Sequence, residues 1–318
     1  MKHPLRPTSR RPLRLALAPA LLAAGVAAGC SADGKEVEDP YPLDAEAKPL
    51  VDEMASAEIG AYLQELDKRM RAWGRYKLEA RTASDQRVRR SLEQDLVMRT
   101  RQRMDELILE LESGPPINRA VAAAALGFTG DARVHGPLLV ALSDREDLVV
   151  NSALLGLGLL ARADTPLGEI CFLMRSHPDG RMRNNAAYAI QRIVAAGGTD
   201  SCVVESCRSA LVQDTEPGVR SQAALVLGHL AVAEAIGELG NLLEDDEALV
   251  VVSAAHALRQ IAQARPEARA AAARQLADGL DRVPLNVRGT LLAELVELSG
   301  VNLGAESRPW REWAFKLD

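Results

Sequence analysis

Aromatic side chains are scarce: Phe, Trp and Tyr together make up 3% of the 318 residues. With apolar residues at 47%, the core must come from Ala, Leu, Val and Ile. Such a core suits closely packed helices better than a broad sheet sandwich. Downstream of residue 30 there is no run of eighteen apolar residues, so no spanning helix is expected beyond that point. The motifs of chemistry are missing too. His-x-x-x-His, Cys-x-x-Cys and Glu-x-x-His pairs are absent, which argues against a preformed zinc site. No Gly-x-Ser-x-Gly elbow occurs. Gly29 to Lys35 has the spacing of a phosphate loop, but Glu36 stands where Ser or Thr is needed. Neither metal nor cofactor is expected, a small-molecule ligand is disfavoured, and the chain reads as non-catalytic.

What is present begins with a processing segment. Lys2, Arg6, Arg10, Arg11 and Arg14 form a basic n-region, and Leu15 to Val26 an apolar stretch. Ala27-Ala28-Gly29-Cys30 then resembles a bacterial lipoprotein signal, in which cleavage precedes the cysteine and the cysteine carries the lipid. Ala27 stands where that pattern usually has Leu. Ser9-Arg10-Arg11-Pro12-Leu13 partly resembles a twin-arginine export signal. Ser31, rather than Asp, resembles the pattern that sends lipoproteins on to the outer membrane. The resemblance implies residues 1–29 as signal peptide, lipidation at Cys30, and a membrane-anchored protein of the bacterial cell envelope facing the periplasm.

Residues 1–29 hold five of the 38 basic side chains and none of the 44 acidic ones, so the mature chain is clearly acidic. That balance speaks against nucleic acid as partner. Residues 30–45 combine Asp, Glu, Gly and two prolines without helical period and read as a solvated tether. Residues 46–112 turn helical, with Leu63, Leu66, Met70 and Trp73 on one stripe and Val88, Leu92 and Leu96 on another. Met104, Leu107 and Leu111 resume that stripe. Thr82-Ala83-Ser84-Asp85 interrupts the run and offers an N-cap, which predicts a long helical hairpin. Between Lys68 and Arg103, twelve basic residues face four acidic ones, a reversal of the chain's overall sign.

From residue 113 the chain repeats itself. Segments starting at Asp144, His177, Asp214 and Asp245 overlay without gaps, with weaker copies near Ser113 and Arg282. The template is a turn, an apolar–Arg pair and an Ala-rich helix, with Val150 and Val251 in place of the arginine in the copies from Asp144 and Asp245. Val219, Ala223, Val226, Leu227 and Leu230 share one helical face, as do Val250, Ala254, Ala257, Leu258 and Ile261. One hairpin cannot bury such a face alone, so neighbours must stack. The pattern Asp-x-x-x-x-Val-Arg-x-x-Ala-Ala-x-Ala-Leu, best met by Asp214 to Leu227, resembles the HEAT-like repeats of the short bacterial form named after phycobilisome lyases.

That resemblance implies an all-α fold: an α-solenoid of about six HEAT-like hairpins over residues 113–299, preceded by the long hairpin. Residues 300–318, with Trp310, Trp313 and Leu317 on one face, are expected to cap it. The resemblance further implies that Arg183, Arg220 and Arg288 pair with acidic turn residues of neighbouring repeats, for which Asp179, Asp214 and Asp245 are placed. It also implies that second helices line the concave side, with Leu155, Tyr188, Leu225 and His256 in a row. The expected partner-binding residues are Asn184, Tyr188, Gln191, Ser221, Leu225, His256 and Arg259, and the expected partner is a protein or extended peptide. The implied function is a scaffold of the envelope. A permanent subunit of an envelope complex and a bilin-lyase-like enzyme are its alternatives. Cys171, Cys202 and Cys207 remain after Cys30; Cys171 and Cys207 occupy near-equivalent places on adjacent helices, and a bridge and free thiols both stay open.

Overall fold

The computed structural model describes residues 57–79 and 82–317. The leader, Cys30, the tether and residues 46–56 lie outside them. Every regular element among the described residues is helical. α1 (Ala57–Glu79) and α2 (Ala83–Gln102) form the amino-terminal hairpin. Thr82 caps α2 reciprocally: its hydroxyl accepts the Asp85 amide at 3.1 Å, and the Asp85 carboxylate accepts the Thr82 amide at 3.0 Å.

Six hairpins follow, each a first and a second helix. They are α3 (Met104–Ser113) with α4 (Pro116–Leu126), α5 (His135–Ala141) with α6 (Asp147–Leu160), and α7 (Gly168–Ser176) with α8 (Gly180–Ala195). Then come α9 (Cys202–Gln213) with α10 (Pro217–His229), α11 (Ile236–Asn241) with α12 (Ala248–Ala264), and α13 (Arg269–Gly279) with α14 (Leu285–Ser299). The solenoid is therefore as the repeats predict, with one shift of boundary. α3 continues the stripe of α2 in sequence, but the chain breaks at Arg103 (φ −120°, ψ 32°) and α3 packs on α4. The first repeat thus reaches back to Met104. Periodicity alone could not show this, because Leu107 and Leu111 would serve either partner equally well.

Small residues set the spacing. A Cβ on Gly156 would lie 2.4 Å from the Ala123 carbonyl oxygen, so α6 lies directly against the backbone of α4. Successive second helices make more extensive contacts with one another than successive first helices do. One continuous apolar core runs from Ile59 to Ala314. α15 (Ser307–Phe315) closes it: Trp310 is fully buried against the last repeat, and its indole N–H donates to the Gly304 carbonyl at 2.8 Å. Cys171 of α7 is bonded to Cys202 at the start of α9, with Cα atoms 6.4 Å apart, while Cys207 is a buried free thiol. The bridge joins adjacent first helices near their amino-terminal ends. It reaches Cys202 because that residue sits at the very start of α9.

Candidate functional site

Two rows of polar contacts run along the solenoid. The first lies at the turns. Asp144, Asp214 and Asp245 each accept the backbone amide two residues on, at 3.0, 2.9 and 3.0 Å, and so start a second helix. Each also receives a bidentate arginine from the preceding repeat: Arg119 on Asp144, Arg183 on Asp214 and Arg220 on Asp245, all at 2.8–2.9 Å. A third nitrogen of each arginine donates to a carbonyl of its own turn at 3.0 Å, on Gly114, His177 and Asp214 respectively. The Arg119 guanidinium, with the turn amides, holds the Asp144 carboxyl below the usual carboxylate range. The ladder breaks where Val150 and Val251 replace arginine; past Val150, Asp179 forms an ion pair, among the described residues, only with Arg181 of its own repeat. Arg288 has no further repeat to reach and donates to the Ala305 carbonyl of the cap. Arg119 belongs to the same register, six residues after Ser113, and that spacing is the signal by which it could have been found in advance.

The second row lies on the second helices, where the partner-binding residues were expected. The structure sorts them. Ser221 is 1% exposed and its hydroxyl meets that of Ser253 at 2.8 Å. Asn185 donates to Asn151 at 2.9 Å. His256 and Arg259, each 8% exposed, both bond Glu294 of α14, and Arg259 also pairs with Glu297 at 3.0 Å. Burial opposes the ionisation of Glu294, but its bonds from His256 and Arg259 prevail and hold its carboxyl below the usual range. Tyr188 is 7% exposed and lies against Gly158 of α6, where a Cβ would come within 2.8 Å of the ring. Leu155, Asn184, Gln191 and Leu225 remain half-buried.

The amino-terminal hairpin explains the burial of Tyr188. The rings of Trp73 and of Phe128, just past α4, pack edge to face with centroids 5.0 Å apart. Beyond it the Lys77 ammonium lies 5.0 Å from the Trp73 ring centre and 4.3 Å from that of Tyr188. Burial, aided by Arg192, pushes the Lys77 ammonium down to about 8, and burial pushes the Tyr188 hydroxyl up. Neither Lys77 nor Glu294 stands out in the sequence, since each is one charge among many on an amphipathic helix. Among the described residues no group of three or more His, Cys, Asp or Glu could hold a metal ion, and no helix is long and apolar enough to cross a membrane.

A family model for HEAT repeats matches residues 204–293. A search of curated proteins finds no relative. Among solved structures, one engineered protein is 21% identical, with a TM-score of 0.47, over 62% of this chain and 98% of its own. A second engineered protein is 19% identical, with a TM-score of 0.44, over 77% of this chain and 78% of its own.

Proposed function

We propose that this chain is a non-catalytic scaffold of the bacterial envelope, anchored by lipid at Cys30, that holds a protein or extended peptide along the inner face of its solenoid. The carrying observation is the mixed character of what stays accessible on the second helices. Leu155 and Leu225 offer apolar surface, and Asn184 and Gln191 offer side-chain amides. Amides pair with the free backbone groups of an extended chain while leucines take up its side chains, which is how such segments are commonly held. The acidic balance of the chain disfavours nucleic acid. The Cys171–Cys202 bridge favours an oxidising compartment, in keeping with export and with a periplasmic, outer-membrane position.

Photocrosslinking from position 225 in intact cells should capture the partner. Asn184→Ala, Gln191→Ala and Leu225→Ala together should abolish capture with an unchanged melting temperature. Undiminished capture by the folded triple variant would refute the inner-face reading. Cys30→Ser should move the protein from the membrane fraction to the soluble one; retention there would refute the anchor.

A further inference from the structure

The amino-terminal hairpin carries positive charge that its own contacts do not use up. Within α2, Arg89 pairs with Glu93 and Arg99 with Asp95. Arg87 and Arg90 are exposed and enter no ion pair among the described residues. Arg101, also exposed, directs its Nε at the Thr129 carbonyl at 2.6 Å and has no carboxylate partner among them. Arg90 and Arg101, with the Arg89–Glu93 pair, Gln94, Val97 and Met98, line an open groove of about 610 Å³ along α2, and Met98 is 60% exposed. Guanidinium groups beside an adaptable thioether suit an acidic segment that also carries apolar side chains.

Such a segment leads into this same hairpin. α1 and α2 are antiparallel, and Tyr62, early in α1, donates to the Arg99 carbonyl near the end of α2 at 2.6 Å. The chain arriving at Ala57 therefore enters beside the Met98–Arg101 end of the groove. Residues 33–53, just upstream, hold eight carboxylates against two lysines, interleaved with Val37, Tyr41, Leu43, Leu50 and Val51. Fully extended, they reach about 70 Å, whereas α2 is about 30 Å long. We propose that segment 33–53 folds back along the α2 groove, with its carboxylates on Arg90 and Arg101 in the groove and on Arg87 beyond its end, three residues before Arg90. The protein then carries its own competitor for any acidic partner of that face. This does not depend on the inner-face reading.

The test uses the full chain and an arginine-selective reagent such as phenylglyoxal, read by mass spectrometry. Replacing the eight carboxylates of 33–53 by their amides should speed modification of Arg87, Arg90 and Arg101 severalfold at low ionic strength. The difference should vanish in high salt, because exposed charge pairs are screened. Arg90→Lys and Arg101→Lys, treated with a carbodiimide, should give adducts to 33–53 within one chain whose yield does not change on dilution. Equal modification rates in the two proteins would overturn the proposal. Adducts that vanish on dilution would do so too, by placing a second copy in the groove. So would vesicles of anionic lipid that bind both proteins equally.

Discussion

The ammonium of Lys77 in α1 donates a 3.0 Å hydrogen bond to the hydroxyl of Tyr188 in α8, 111 residues further along the chain. That contact fastens the far end of the amino-terminal hairpin to the third hairpin of the solenoid. It also decides that Tyr188, placed by its register on the inner face, is covered by the protein itself.

The contact is pH-dependent with a definite sign. In the docked state Lys77 titrates near 8, below its usual 10.5, because of burial and of Arg192 and Arg89, which outweigh Glu93. Between those values the undocked hairpin holds more protons, so docking strengthens as pH rises from about 8 towards 10.5. Lys77 keeps exposed surface, so solvent screening reduces the effect. Hydrogen exchange in α1, corrected for intrinsic rates, should slow between pH 7.5 and 9.5 on the order of a few-fold. Lys77→Met should be flat over that range; a slope as steep as the parent's would place the titrating group elsewhere.

Removing one arginine of the turn ladder leaves a shielded carboxylate without its partner. The Asp245 side chain is 9% exposed and that of Arg220 15%. Arg220→Met should therefore cost about 3 kcal/mol in urea unfolding, near the range for breaking a buried pair. The nearby exposed Arg181→Met should cost less than about 1 kcal/mol. Equal losses would deny the ladder its structural role.

The Arg119–Asp144 rung makes an acid-side prediction. The folded value of Asp144 is depressed, chiefly by Arg119. The stabilisation is thus complete above the unfolded carboxyl value and is lost as pH falls through the folded one. Arg119→Met should raise the midpoint of acid unfolding, followed by circular dichroism, and should lower stability at neutral pH.

Helix spacing can be tested with two glycines. Gly156→Ala drives a methyl into the Ala123 carbonyl and should cost about 2 kcal/mol by overpacking. Gly74→Ala, inside α1 with nothing within 4 Å of the new Cβ, should gain about 0.5–1 kcal/mol. Thermal melts of the two variants should move in opposite directions.

The disulfide and the free thiol should respond differently to reagents. Cys171 and Cys202 close a loop of sequence separation 31, so reduction should cost about 3–4 kcal/mol. Cys207, pushed up to about 12 by burial, should resist iodoacetamide in the native protein and react once urea unfolds it. Labelling at the same rate in both conditions would show that the thiol is accessible.

Much of the architecture was legible because each repeat writes its own structure locally. A turn aspartate recurs at Asp144, Asp214 and Asp245, and the arginine six residues into a copy recurs at Arg119, Arg183, Arg220 and Arg288 but is valine at 150 and 251. Stacking follows because an amphipathic hairpin cannot bury its face alone. Even the Arg119 rung lay within that register. The position of α3 was not legible, because the stripe through Met104, Leu107 and Leu111 is equally satisfied by α1 or by α4. Nor was the Cys171–Cys202 pairing. Near-equivalent places on adjacent helices singled out Cys171 and Cys207, but the helix-start position of Cys202 brings it to Cys171.

Local pattern thus determined which residues are helical, which face of each helix is apolar, and that the hairpins lie in chain order, since these depend on neighbours a few residues away. The fate of the inner-face polar residues was decided only by tertiary packing. Ser221 is lost to Ser253, His256 and Arg259 to Glu294, and Tyr188 to Lys77. A side chain's accessibility depends on which distant helix lies over it, and helical period carries no information about that partner.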